Sequence, residues 1–152
     1  MTPTAGALLV IGAVLLPGCG GPPAAGDGSA VFTPVATVDQ VMDAIVIPSS
    51  QALFDSVVYV NGELTQSPKT DDEWFRLRMH AIAVAEAGNL LLMPPRAKGD
   101  DDWAPLSKAL TAAAMRVEQA ADAKNVDLML QTGSELYVAC TNCHEKYLME
   151  QP

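Results

Sequence analysis

Cys140-Thr141-Asn142-Cys143-His144, near the end of the chain, sets two thiols and an imidazole at a spacing that lets them act together. On a helix, residues three and four apart share a face, so Cys140, Cys143 and His144 fall on the same side. Two thiols so placed can each add to a vinyl group of one haem, and the imidazole can reach the iron. This is the c-type attachment pattern. A structural zinc site asks for about four ligands, usually as two pairs, and the sequence holds no second pair. A thioredoxin-type dithiol should follow a strand in a βαβ unit, and no such context surrounds these residues. The expectation is one covalent haem c per chain, attached at Cys140 and Cys143, with His144 as an axial ligand.

Such a site needs helices to position it, and the pattern from about Val35 onward is helical in four segments. The first runs from about Thr37 to Val60, opened by a Thr37/Gln40 capping box. Val38, Met42, Ile45, Ser49, Ala52, Leu53 and Val57 fall on one face, and a kink is expected at Pro48. Asn61-Gly62 ends it. The second spans about Asp71 to Met93, with a Thr70/Glu73 capping box, early acids suited to the helix dipole, and Pro94-Pro95 as the stop. Its buried stripe is Trp74, Leu77, Ala81, Val84, Ala85, Gly88, Leu91 and Leu92. The third spans about Asp102 to Lys124 on a stripe of Leu106, Leu110, Ala113, Val117 and Ala120. The fourth spans about Val126 to Glu150, with Met129, Leu130, Leu136, Tyr137, Cys140, His144 and Tyr147 among its apolar face. No stretch shows the alternation of a sheet. The fold class expected is all-α, an antiparallel up-down-up-down four-helix bundle carrying its haem near the C-terminus.

The N-terminus calls for export. Ala5 to Leu16 is an apolar run close to a secretory h-region. It is short of the roughly 20 residues that span a bilayer. Leu16-Pro17-Gly18-Cys19 resembles the lipobox of bacterial lipoproteins, although Pro17 is unusual there and the preceding residues lack Lys and Arg. That resemblance implies a signal peptide over 1–18, lipidation of Cys19, and a periplasmic protein anchored to a membrane by lipid alone. The alternative is ordinary cleavage near Ala24-Ala25. Residues 19–34, rich in Gly, Pro and Ala, form a flexible tether. The domain proper is 35–152.

A four-helix chain with a single Cys-x-x-Cys-His in its last helix resembles the cytochrome c′ superfamily, from about Val35 to the end. Tyr147, three residues after His144, fits an aromatic position of that family, whereas Leu148 stands where Arg is common. Low-spin members take a Met from the first helix as the second axial ligand. Bundle geometry points the same way. His144 lies about six residues before the end of its helix, roughly 9 Å along the axis, and Met42 sits about five residues into the first helix, at nearly the same height. The expected iron ligands are therefore His144 and Met42. His80 belongs to the opposite end, as an exposed surface histidine, and Met115 and Met129 are core fillers. Tyr137 is expected in the core. Arg96, Lys98, Trp103 and Met93 are candidates for haem-propionate or haem-edge contact, because propionates need partners when half-buried.

Composition narrows the function. The chain has 152 residues, with 18 Asp and Glu against 9 Lys and Arg, a net charge of −9 that argues against nucleic acid as a partner. Three cysteines exclude a disulfide scaffold. No acid, base or nucleophile set for an enzyme is apparent, and no catalytic residue is assigned. A peroxidase would need a distal proton acceptor and a charge-stabilising Arg, and Met42 is flanked only by Asp39, Gln40 and Asp43. The expectation is a carrier of single electrons between redox proteins of the periplasm or cytoplasmic membrane. The alternative is a haem protein that binds or senses a diatomic gas, NO or CO. The resemblance also admits a homodimer.

Overall fold

The computed structural model describes Met1 and residues 32–148. The expected signal peptide, the Cys19 lipidation site and most of the tether lie outside the described residues. What is described is mostly helical, compatible with the all-α class, with one β-hairpin.

The first helical run begins as expected and then departs from plan. Thr37 caps α1 (Val38–Val41): its hydroxyl accepts from the Gln40 amide at 3.2 Å, and the Gln40 side chain accepts from the Thr37 amide at 3.0 Å. A π-helical turn follows at Met42–Val46, and then α2 (Ile47–Phe54). Pro48 explains the turn. It has no amide proton for the Ala44 carbonyl, and in regular α spacing its ring would collide with that carbonyl. The wider turn admits one more residue, and the Ile47 amide bonds the Met42 carbonyl instead. The extra residue also rotates the buried face. Val41 and Val46, five apart and absent from the expected stripe, are 2% and 5% exposed, while Met42 and Ile45 are half-buried.

The helix expected to reach Val60 stops at Phe54. Val58–Val60 (β1) and Glu63–Gln66 (β2) instead pair antiparallel, with Tyr59 opposite Leu64 and Val60 opposite Glu63. Val58, Tyr59 and Val60 are residue types that favour strands. Asn61 and Gly62 take φ of +52° and +84°, the positive pair that a two-residue hairpin turn requires. The expectation of no sheet is thus corrected at this one place. An Asn-Gly pair stops a helix and turns a hairpin equally well; the β-branched residues before it decide between the two.

The three long helices follow the sequence closely. Thr70 and Glu73 form their capping box at the head of α3 (Asp71–Leu91), and Trp74, Leu77, Ala81, Val84, Ala85, Gly88 and Leu91 are buried. The next helix, α4 (Trp103–Asp122), buries Leu110, Ala113, Val117 and Ala120 as expected. It also buries Trp103 and Ser107, with Leu106 left half-buried. In α5 (Val126–Tyr147), Asn125 caps the start, and Met129, Thr132, Leu136 and Ala139 form the buried stripe. That stripe lies about one residue from the expected one. Leu130 is consequently 45% exposed, and Tyr137, placed in the core by the sequence pattern, is 60% exposed. Met115 is likewise 41% exposed rather than a core filler.

The most extensive packing is α3 against α4, followed by α4 against α5. The first helical run lies on α3. It reaches α5 only through α2, where Phe54 and Tyr137 meet edge to face at 6.0 Å; the turn that carries Met42 makes no close backbone approach to α5. Arg78 joins α3 to α4 through Glu118 at 2.5 Å and Asp122 at 3.0 Å. Gly88 is what lets α3 and α4 meet so closely. A Cβ built there would strike the Thr111 hydroxyl and lie 2.9 Å from the Ser107 carbonyl, which is backbone and cannot swing away. Gly88→Ala should therefore destabilise the fold by about 1–3 kcal/mol despite its better helix propensity. The check is the urea midpoint: a midpoint at or above that of the wild type would remove this account of the α3/α4 contact.

Candidate functional site

α5 carries Cys140, Cys143 and His144. Cys140 and Cys143 are half-buried and His144 is exposed, so the motif faces the flank of the helix rather than its buried stripe. The two thiols are free. Burial, then the neighbouring Cys143, pushes the Cys140 thiol up. Burial raises Cys143 as well, with Lys98 acting against it. Raised pKa values keep both thiols protonated. A redox-active dithiol is tuned in the opposite sense.

Met42 comes to the same place. One cavity is lined by Met42 from the π turn, Leu91 from α3, Leu106, Ser107 and Leu110 from α4, and Ala139, Cys140, Cys143 and His144 from α5. Four residues expected from sequence to share a ligand therefore share one cavity wall, drawn from two elements whose backbones do not pack together there. As closed in this structure the cavity is about 20 Å³ for the centre of a water-sized sphere. That is slightly above the roughly 10–15 Å³ one water requires. No group of three or more His, Cys, Asp and Glu among the described residues could hold a bare metal ion.

Ser107 is the residue that sequence reasoning missed. It is 2% exposed, and its hydroxyl is buried without a hydrogen-bond partner. Leaving such a hydroxyl unsatisfied costs about 1–3 kcal/mol. The remedy usual for a helical hydroxyl is a bond to a carbonyl of the preceding turn. Thr132 and Ser134 adopt it, donating to Leu128 and Leu130 at 2.6 Å and 2.9 Å. Ser107 does not. The signal in the sequence was a hydroxyl four residues after Trp103 and three before Leu110, on the stripe that proves to be buried.

The residues considered for the haem edge are placed differently from one another. Arg96 is 7% exposed; its Nε donates to the Leu90 carbonyl at 2.7 Å and its Nη1 to the Ala36 carbonyl at 3.0 Å, with Nη2 3.8 Å from the Met93 sulfur. Its guanidinium thus ties the chain before α1 to the end of α3. Trp103 is buried and donates from Nε1 to the Leu91 carbonyl at 2.8 Å. Lys98 is exposed, with Nζ 5.3 Å from the Trp103 ring and 4.7 Å from that of Tyr147. Met93 is half-buried. His80 is half-buried rather than exposed, with Nδ1 3.4 Å from the Ser49 hydroxyl, because α2 covers it.

Aspartates fasten the end of α5. Asp100 accepts from the Trp103 amide at 2.9 Å and the Asp102 amide at 3.1 Å, capping α4, and also from the Tyr147 hydroxyl. Asp102 pairs with Lys146, and the Tyr147 and Trp103 rings meet edge to face at 4.9 Å. The Tyr147 hydroxyl is the largest influence holding the Asp100 carboxyl below its ordinary value; the Trp103 and Asp102 amides and the Lys146 charge add to it, against burial. A lowered carboxyl contributes stability above its unfolded pKa, lost as pH falls through the folded value. Tyr147→Phe should therefore unfold at lower urea than the wild type near neutrality, and the gap should narrow in acid. A gap that persists unchanged below the carboxylate range would assign the loss to packing instead.

No protein-family model matches the chain, and no curated protein matches it. Among the described residues no helix is long and apolar enough to cross a membrane.

Proposed function

We propose that the chain is an exported c-type cytochrome that carries single electrons, built as a four-helix bundle of the cytochrome c′ kind in its low-spin His/Met form. The observation that carries this is the common cavity of Met42, Cys140, Cys143 and His144. Cys140 and Cys143 would hold haem c through thioethers, and His144 and Met42 would supply ligands to its iron. Bound haem supplies a one-electron couple, whose potential a Met ligand raises.

The surroundings suit that group. The cavity wall is otherwise Leu91, Leu106, Leu110, Ala139 and the one hydroxyl of Ser107. The cavity is too small as closed for a macrocycle; of the elements that wall it, the Met42 turn and α5 make no close backbone approach to each other, whereas α3 packs on α4 and α4 on α5. The Trp103 and Tyr147 rings meet edge to face, and Lys98 sits over both as an exposed cation near the tail of α5. The proposed setting is the periplasm, with Cys19 lipidated and the partners being redox proteins there or at the cytoplasmic membrane.

The test is to export the chain in a host that matures c-type cytochromes. The expected product stains for haem after denaturing electrophoresis, gains the mass of one haem, and is low-spin in both oxidation states. A colourless protein with both tail thiols free would end the proposal. A high-spin haem protein that binds CO readily would move the function to gas binding.

A further inference from the structure

We propose that Ser107 is a positioning residue for the Met42 sulfur, its hydroxyl donating a hydrogen bond to Met42 Sδ when that sulfur holds the iron of bound haem. The inference rests on the haem reading above and adds to it a residue on a third element, α4. A buried hydroxyl without a partner requires an acceptor, and it forgoes the preceding-turn carbonyl that Thr132 and Ser134 use. Among the side chains lining its cavity, the groups with lone pairs are Met42, Cys140, Cys143 and His144. The Cys sulfurs and the His144 ring would be engaged by haem attachment and by iron ligation. Met42 remains. Its side chain is unbranched, with three rotatable bonds, so its sulfur can be repositioned without moving the π turn. A thioether on iron keeps one lone pair free to accept. Partners of this kind orient a metal's ligand and tune its basicity. Donation to the sulfur draws electron density from it, weakens its hold on ferric more than on ferrous iron, and so favours the reduced state.

The experiment compares holoprotein carrying Ser107 with Ser107→Ala and Ser107→Thr. Alanine removes only the hydroxyl and suits a helix interior; threonine keeps the hydroxyl and adds a methyl beside an existing cavity. The expected result for Ser107→Ala is unchanged haem attachment with a lowered midpoint potential and a shifted sulfur-to-iron charge-transfer band in the ferric spectrum. Ser107→Thr should restore both toward the wild type. In a Met42→Ala background, Ser107→Ala should leave the potential unmoved. Low-spin, haem-loaded Ser107→Ala with an unaltered potential and band would overturn this inference and leave the electron-carrier proposal standing. Equal shifts with and without Met42 would also overturn it, placing the acceptor elsewhere. Loss of haem or of low-spin character in the wild type would instead remove the proposal beneath it.

Discussion

Replacing Cys140 and Cys143 together by Ala should abolish the haem band on denaturing gels and leave the exported chain at its apoprotein mass. On the haem proposal each thiol would form one carbon–sulfur bond, and His144 alone would not keep a porphyrin through denaturation. Either single replacement should retain one thioether and a weakened band. The substitution should cost the fold little, because both residues are half-buried on the flank of α5, whereas Leu136 and Ala139 on the neighbouring stripe carry its packing. Both thiols are free in the folded chain, so the double replacement breaks no disulfide. Mass spectrometry decides the matter. A double variant that still shows covalent haem would mean attachment at some other nucleophile.

Met42→Ala should convert a low-spin protein to high-spin and allow CO to bind its ferrous form. The sulfur is the one group brought by the first helical run to the cavity shared with His144. Met42 is half-buried, so the accompanying loss of stability should be about 1–2 kcal/mol, below the roughly 2–5 kcal/mol for a fully buried Met. The spectroscopic change should thus be complete while the protein stays folded. Electron paramagnetic resonance of the ferric form reads the spin directly; unchanged low-spin signals would remove Met42 from the iron.

Much of this was legible in the chain because it depends on neighbours in sequence. The capping boxes at Thr37/Gln40 and Thr70/Glu73 formed as their spacing required, since each is closed within one turn. The stripe of α3 was legible for the same reason: a regular helix repeats its face every 3.6 residues. The Cys140–His144 spacing sets three reactive groups on one flank of α5 whatever lies opposite.

What the sequence pattern misplaced depends on contacts between elements or on a change of period. Pro48 announces a distortion, but only the folded chain chooses a π turn over a kink, and that choice buries Val41 and Val46 in place of Met42 and Ile45. Asn61-Gly62 can end a helix or turn a hairpin, and pairing of Val58–Val60 with Glu63–Gln66 settles which. Tyr137 is exposed because the first helical run meets α5 only lightly, a fact about packing that no local pattern contains. The same holds for Ser107. By itself the sequence determined the three long helices, the capping boxes at Thr37/Gln40 and Thr70/Glu73 and the spacing of the motif, all of them interactions within a turn or two. The tertiary structure alone decided which faces are covered, and that a lone buried hydroxyl stands beside Met42 and His144, because burial is set by what a distant segment lays against each face.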